Sequence, residues 1–173
     1  MKKALFLDRD GIINIDHGYV SQIKDFDFSE GIFTLLSSFK QAGYLFFIVT
    51  NQSGIGRGYY TEENFQTLTL WMTEQLRQKG IEIQAVLHCP HAPEVQCNCR
   101  KPAIGMLDGL QDIDFHASWM IGDKQSDINF AHNTQIGHTI AIGTRTFENY
   151  DYLFTSIQEC ADFLEENPDI IRS

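Results

Sequence analysis

The 173-residue sequence contains no run approaching the ~18 apolar residues that a membrane span needs, so no membrane partner is expected. The amino terminus likewise lacks a signal-peptide apolar core, because Asp8 interrupts the short hydrophobic stretch there, and a cytoplasmic chain is the expectation. Bases are scarce: 13 against 23 acids give a net charge of -10, which argues against nucleic-acid backbones as partners. The deficit is concentrated in Glu148 to Ser173, where seven acids face one base, so the rest of the chain carries only -4. Internal repeats, low-complexity segments and linkers are absent too. A single α/β domain spanning 1–173, with a sizeable core and acting as a monomer, is therefore expected.

What is present starts with Lys3-Ala4-Leu5-Phe6-Leu7-Asp8-Arg9-Asp10-Gly11. Ala4 to Leu7 reads as a fully buried strand of the kind parallel sheets use, which puts the charges at its carboxyl end, where open α/β sheets bind ligands. Asp8 and Asp10 are two apart and project the same way, while Gly11 lets the backbone turn sharply. An ionised aspartate can attack phosphorus without prior deprotonation, and a second carboxyl can give a proton to the leaving alcohol. Taken alone, the pair reads equally well as a strand ending in solvated acids.

Ser29 is a plausible cap for a helix carrying Ile32, Leu35, Leu36 and Phe39, ended by Gly43. Tyr44 to Val49 then reads as a second strand with Thr50-Asn51-Gln52-Ser53-Gly54 at its tip. Thr61 caps a helix with Phe65, Leu68, Met72 and Leu76 on one face, closed by Lys79-Gly80, and Ile81 to Leu87 is a third strand. This alternation of strand and helix predicts right-handed crossovers and a parallel sheet. Further on, Gly105 to Leu110 suggests a short helix. Ala117 to Ile121 and Thr139 to Ile142 are the fourth and fifth strands, and Ser156 to Leu164 is a closing helix in which Cys160 reads as a buried thiol. The fourth strand ends in Gly122-Asp123-Lys124, with Asp127 four residues on.

Three of the four cysteines fall within eleven residues as Cys89-x-His91-x5-Cys97-x-Cys99. Three thiolates and an imidazole would fill a tetrahedral zinc and leave no open position, making the ion structural. Chance clustering or a redox pair are the alternatives, and His88 could compete with His91 as ligand. Little apolar material lies between Cys89 and Pro102, so a metal would order a loop that burial cannot, and would fix Arg100 and Lys101 beside it.

Asp8-Arg9-Asp10-Gly11, Thr50-Asn51-Gln52-Ser53, Arg100-Lys101-Pro102 and Gly122-Asp123 resemble, in order and spacing, the four motifs of haloacid dehalogenase (HAD) superfamily phosphatases. The zinc loop, Asp16-His17-Gly18-Tyr19 and Gly54-Ile55-Gly56-Arg57-Gly58 narrow the resemblance to the branch that dephosphorylates heptose bisphosphate or histidinol phosphate. It implies a Rossmann-like three-layer sandwich with a minimal cap, and a small sugar phosphate as substrate. Asp8 would be the nucleophile and Asp10 the general acid/base, with Thr50 and Lys101 steadying the transferring phosphoryl group. Catalytic magnesium would be held by Asp8, the backbone carbonyl of Asp10 and Asp123. Arg100 would help to recognise substrate, and Asp16, His17, Gly18, Tyr19, Asn51, Gln52, Ser53, Arg57 and Lys124 would line its pocket. Two departures stand out. Ile12 occupies a position where the family usually has threonine, and the loop between His91 and Cys97 is short, as in histidinol-phosphate enzymes, whereas Asp16 to Tyr19 favours the heptose substrate.

Overall fold

The computed structural model describes residues 1–172 and contains one six-stranded, wholly parallel sheet in the order β3-β2-β1-β4-β5-β6. The strands are β1 (Ala4–Leu7), β2 (Leu45–Asn51), β3 (Ile83–Cys89), β4 (Trp119–Gly122), β5 (His138–Ile142) and β6 (Tyr152–Phe154). The helices are α1 (Ile32–Gln41), α2 (Ser53–Gly56), α3 (Glu62–Gln78), α4 (Gln125–Thr134) and α5 (Ile157–Glu166). All four residues of β1 are buried, as its uninterrupted apolar run requires of a central parallel strand.

Strand alternation sorts the core into two layers. Leu5 and Leu7 pack with the apolar faces of α1, α3 and α5, whereas Ala4 and Phe6 pack with Phe130 and Ala131 of α4, Met106 and Cys89. The sheet is thus covered on both faces. From β1 the chain winds outward through β2 and β3, then returns past β1 to β4, β5 and β6. The strand order reverses at β1, and the crevice outside the carboxyl ends of β1, β2 and β4 is where such sheets bind ligands. Among the described residues no helix is long and apolar enough to cross a membrane.

Several elements differ from the sequence expectation. The first helix is capped by Gly31 rather than Ser29: Gly31 sits at φ 87°, and a side chain there would meet the backbone of Gln158 in α5. The third strand begins at Ile83, because Ile81 is buried outside the ladder and the β2–β3 pairing is irregular between Phe46 and Phe47. The 105–110 stretch is a single 3-10 turn over Gly105–Leu107. Three elements, α2, α4 and β6, lie outside the sequence expectation. Thr61 caps α3 as expected, through a reciprocal pair of bonds with Asn64, and Ser156 caps α5.

Candidate active site

The tips of β1, β2 and β4, together with the loop after β3, enclose a cavity of about 370 Å³. The β1 tip is shaped by a tight turn. The N–H groups of Ile12 and Ile13 both bond the Arg9 carbonyl, and Gly11, at φ 90°, lies so close to Asp123 that a Cβ there would stand 2.1 Å from its carboxylate oxygen. Glycine is required here by backbone angle and by space together. The turn brings Asp8 and Asp10 to one wall of the cavity, with Asp16, Gly18 and Tyr19 from the following loop beside them.

Lys101 supplies the buried cation. Its Nζ donates to Asp8 Oδ1 at 2.9 Å, to Asp127 Oδ1 at 2.7 Å and to the Val49 carbonyl at 2.7 Å, so all three ammonium hydrogens are used. Burial lowers the Lys101 pKa while Asp127 and Asp8 raise it, and the acids win. Burial pushes the Asp8 carboxyl well above the usual carboxylate range; Lys101 pulls it back, and Asp127 and Asp123 raise it again. Burial raises Asp123 too, with Asp127 adding to the shift. One ammonium does not balance three carboxylates whose oxygens lie within 4.8 Å of one another.

The three acids are not equivalent. Asp127 spends one oxygen on Lys101 and the other on the N–H groups of Asp123 and Lys124, each at 3.1 Å, so it anchors the β4 tip. Asp123 Oδ2 and the Asp123 carbonyl accept from Arg145, at 3.3 and 2.9 Å, while Asp123 Oδ1 is buried and has no protein partner. Asp8 Oδ1 accepts from Lys101 and from the Arg9 N–H at 2.9 Å, and no protein N–H reaches Oδ2. An orphaned buried carboxylate oxygen next to a second acid is a fit for a hard divalent cation.

Asp10 is partly exposed and well bonded. Oδ1 accepts from Arg9 and Asn14, and Oδ2 from Gln52 Nε2 at 3.1 Å. Gln52 also donates to Thr50 Oγ1 at 2.9 Å and accepts from the Tyr60 hydroxyl, whose pKa burial pushes up to about 12.

Cys89, His91, Cys97 and Cys99 converge on one point, with Cys89 Sγ 3.4 Å from Cys97 Sγ and His91 Nδ1 3.5 and 3.2 Å from Cys89 and Cys99 Sγ. A tetrahedral ion with thiolates at about 2.3 Å and imidazole at about 2.0 Å has donor–donor edges of about 3.5–3.8 Å, close to those seen. All four cysteines are free thiols. His88 is turned away, bonded to Glu62 at 2.7 Å and stacked on Phe65, which removes it as a competing ligand. The cluster is locked to the cavity. Cys89 pairs with Asn51 across the β2–β3 ladder, the Cys89 carbonyl accepts from the Gln52 N–H, and Asn51 brackets the Lys101 backbone. Gly56 of α2 presses on the same loop, where a Cβ would meet the Ala92 nitrogen at 2.6 Å.

Of the residues expected to face substrate, Asp16, Gly18, Tyr19, Asn51, Gln52, Ser53, Arg57, Arg100 and Lys124 line the cavity. His17 is the exception: its Nε2 bonds Asp27 at 2.8 Å on the outer side of the loop, beside a separate cleft. Thr50 is fully buried behind the wall, its hydroxyl bonded to Gln52. Ile12 is buried in the core. Sequence reasoning missed Tyr60 and Ser126 in the lining, Arg145 on Asp123, and buried Arg9, whose only signal was a charge between two aspartates at the end of a buried strand. A cleft of about 470 Å³ lies elsewhere, and one of about 490 Å³ abuts the site along Gly11, Asp16, Asp123 and Arg145, but neither contains Asp8, Asp10 or Lys101.

Fold and site together define a phosphatase of the haloacid dehalogenase superfamily. A family model described as polynucleotide kinase 3 phosphatase matches residues 5–126. The chain is 47% identical to D-glycero-beta-D-manno-heptose-1,7-bisphosphate 7-phosphatase of Helicobacter pylori, covering 81% of this chain and 83% of that protein. It is 45% identical to the protein of that name from Photorhabdus laumondii, over 82% of this chain and 80% of the relative. The crystal structure of D,D-heptose 1,7-bisphosphate phosphatase from B. bronchiseptica, complexed with magnesium and phosphate, superposes with a TM-score of 0.82 at 24% identity, over 95% and 99% of the two chains. The chain belongs to the family of these heptose bisphosphate phosphatases within the HAD superfamily.

Proposed function

We propose that this chain is a magnesium-dependent phosphomonoesterase that removes the 7-phosphate of D-glycero-D-manno-heptose 1,7-bisphosphate through an aspartyl-phosphate intermediate. One observation carries the reading: the Asp8 and Asp10 carboxylates and the Lys101 ammonium meet in one cavity, in a chain 45–47% identical to relatives named for that activity. Asp8 attacks phosphorus through Oδ2, the oxygen that no protein N–H occupies. As the sugar O–P bond breaks, Asp10 gives its proton to the departing oxygen. Asp10 then takes a proton from water, the hydroxide attacks the aspartyl phosphate, and its P–O bond breaks to return the Asp8 carboxylate and free phosphate.

Lys101 offsets negative charge beside Asp8 throughout, and Thr50 steadies the Gln52 amide that bonds Asp10. Asp8, Asp123 and the Asp10 carbonyl would hold magnesium, whose charge offsets the repulsion between the carboxylates and the phosphate. Zinc suits Cys89, His91, Cys97 and Cys99, a full set of soft donors with no place for substrate. Asp16, Gly18, Tyr19, Asn51, Ser53, Arg57, Arg100 and Lys124 are assigned to the sugar and its second phosphate. This reading takes residues 1–173 as one cytoplasmic, monomeric catalytic domain supplying heptose for lipopolysaccharide or a related glycan. A net charge of -10 speaks against a nucleic-acid substrate.

The test is phosphate release with magnesium on two substrates. One phosphate should leave the heptose bisphosphate and the other remain. Faster turnover of histidinol phosphate, which the short His91–Cys97 stretch favours, moves the assignment to that substrate. No release from either leaves a zinc-stabilised module that binds phosphorylated ligands.

A further inference from the structure

Arg9 lies between the two aspartates of the β1 tip, and alternation along the strand turns it to the opposite side, into the protein. Its side chain is 1% exposed. One nitrogen, NH2, donates both to Asp10 Oδ1 at 2.9 Å and to the Val20 carbonyl at 2.8 Å. The guanidinium carbon stands 5.9 Å from the Phe65 ring centroid, while Nε and NH1 are buried with no protein acceptor.

The bonds around Asp10 say what the third nitrogen does. Oδ1 receives two hydrogens, from Arg9 and from Asn14 Nδ2 at 3.0 Å, and has no room for a proton of its own. Oδ2 receives only Gln52 Nε2, and Gln52 is held in that direction by the Tyr60 hydroxyl on its Oε1. We infer that Arg9 is a positioning residue that fixes which oxygen of Asp10 handles the proton, namely Oδ2, and ties that carboxyl to the Val20 end of the loop carrying Asp16, Gly18 and Tyr19. The inference rests on the reading of Asp10 as general acid/base. When the substrate O–P bond breaks, the Oδ2 proton passes to the departing sugar oxygen and Arg9 faces the carboxylate left behind; water returns the proton in the second half. Because one nitrogen holds both partners, the seat of the loop and the aim of Oδ2 change together.

The experiment compares kcat/KM, which reports the steps up to departure of the alcohol and leaves out the shared hydrolysis of the aspartyl phosphate, on heptose bisphosphate, whose alkoxide needs a proton, and on p-nitrophenyl phosphate, whose phenolate leaves without one. Arg9→Met should lose roughly tenfold or more on the sugar substrate relative to the aryl substrate, with a thermal midpoint near that of the parent, and Arg9→Lys should recover part of the loss. Equal losses on both substrates, or no loss on either, overturn the inference. If Arg9→Met does not fold, Asn14→Leu removes the other Oδ1 donor and should show the same selectivity in smaller measure; equal losses there overturn it as well. Asp10→Asn separates the two levels. If that variant shows no leaving-group selectivity, the role of Asp10 falls and Arg9 with it. If it shows the selectivity and Arg9→Met does not, only the inference about Arg9 falls.

Discussion

Asn51 grips the backbone of Lys101 from both sides: its Oδ1 accepts from the Lys101 N–H at 2.9 Å, and its Nδ2 donates to the Lys101 carbonyl at 3.4 Å. The same asparagine sits opposite Cys89 in the sheet. A strand tip, a thiol cluster and the ammonium beside the nucleophile are thereby joined in a closed circuit, so events at the thiols reach the cavity through covalent chain and sheet.

Removing the zinc proposed for the Cys89 cluster should therefore abolish phosphate release and lower the thermal midpoint together. Added magnesium should restore neither, and added zinc both. Metal analysis should give one zinc per chain, and Cys99→Ser should reproduce the chelated state. Full activity in a zinc-free preparation would contradict the coupling.

Lys101→Met leaves Asp8 and Asp127 facing each other without their shared ammonium, a buried imbalance that costs about 3–5 kcal/mol. Urea unfolding should show that loss, and turnover should fall below detection. Combining it with Asp127→Leu should recover part of the stability, because the uncompensated charge is gone, and none of the activity.

Asp8→Asn should end turnover while the fold persists. Because burial already works against the charge on Asp8, the variant's thermal midpoint without magnesium should equal or exceed that of the parent. The rise in midpoint on adding magnesium should shrink, since the cation loses a charged ligand. A variant that still releases phosphate would remove Asp8 as nucleophile.

Cys160 gives a pH test far from the cavity. Buried in α5 against the core, its thiol is pushed from 9.0 up to about 12. The folded state holds the proton more tightly than the unfolded chain, so the stabilisation is complete below pH about 9 and is lost as pH climbs from there towards about 12. Over that window the loss is roughly 4 kcal/mol. Cys160→Ala should flatten that part of the alkaline limb, and in the native protein at pH 8 Cys160 should resist thiol reagents until unfolding.

Much of this was legible from local chemistry. Ala4 to Leu7 announced a central strand because no other element buries four apolar residues so close to two acids, and the Cys89 to Cys99 spacing announced a ligand set because thiols rarely crowd without cause. What escaped was decided by packing. β6 is three residues, Tyr152–Phe154, inside an acid-rich tail and becomes a strand only by pairing with β5. α4 mixes Ile128, Phe130 and Ala131 with polar residues and shows its periodicity only weakly. Gly31 became a cap because α5, more than a hundred residues later, comes against it. Arg9, Tyr60 and Arg145 belong to the site through contacts across loops that no spacing in the chain encodes. His17 belongs to the Asp16-His17-Gly18-Tyr19 stretch that the resemblance assigns to the pocket, yet the loop carries it to Asp27 on the far side.

The double hold of Asn51 on Lys101 also dictates where this chain can grow. Residues 92–96 arch outward between two members of the thiol–imidazole cluster, His91 and Cys97, and extra amino acids there would simply enlarge the arch. A single amino acid added between Cys99 and Lys101 has nowhere to go, because both flanking points are pinned, and it would withdraw the ammonium from beside Asp8. Length variation among relatives that keep the reaction should therefore fall in the first of these two places and not in the second, which comparing their loop lengths would check.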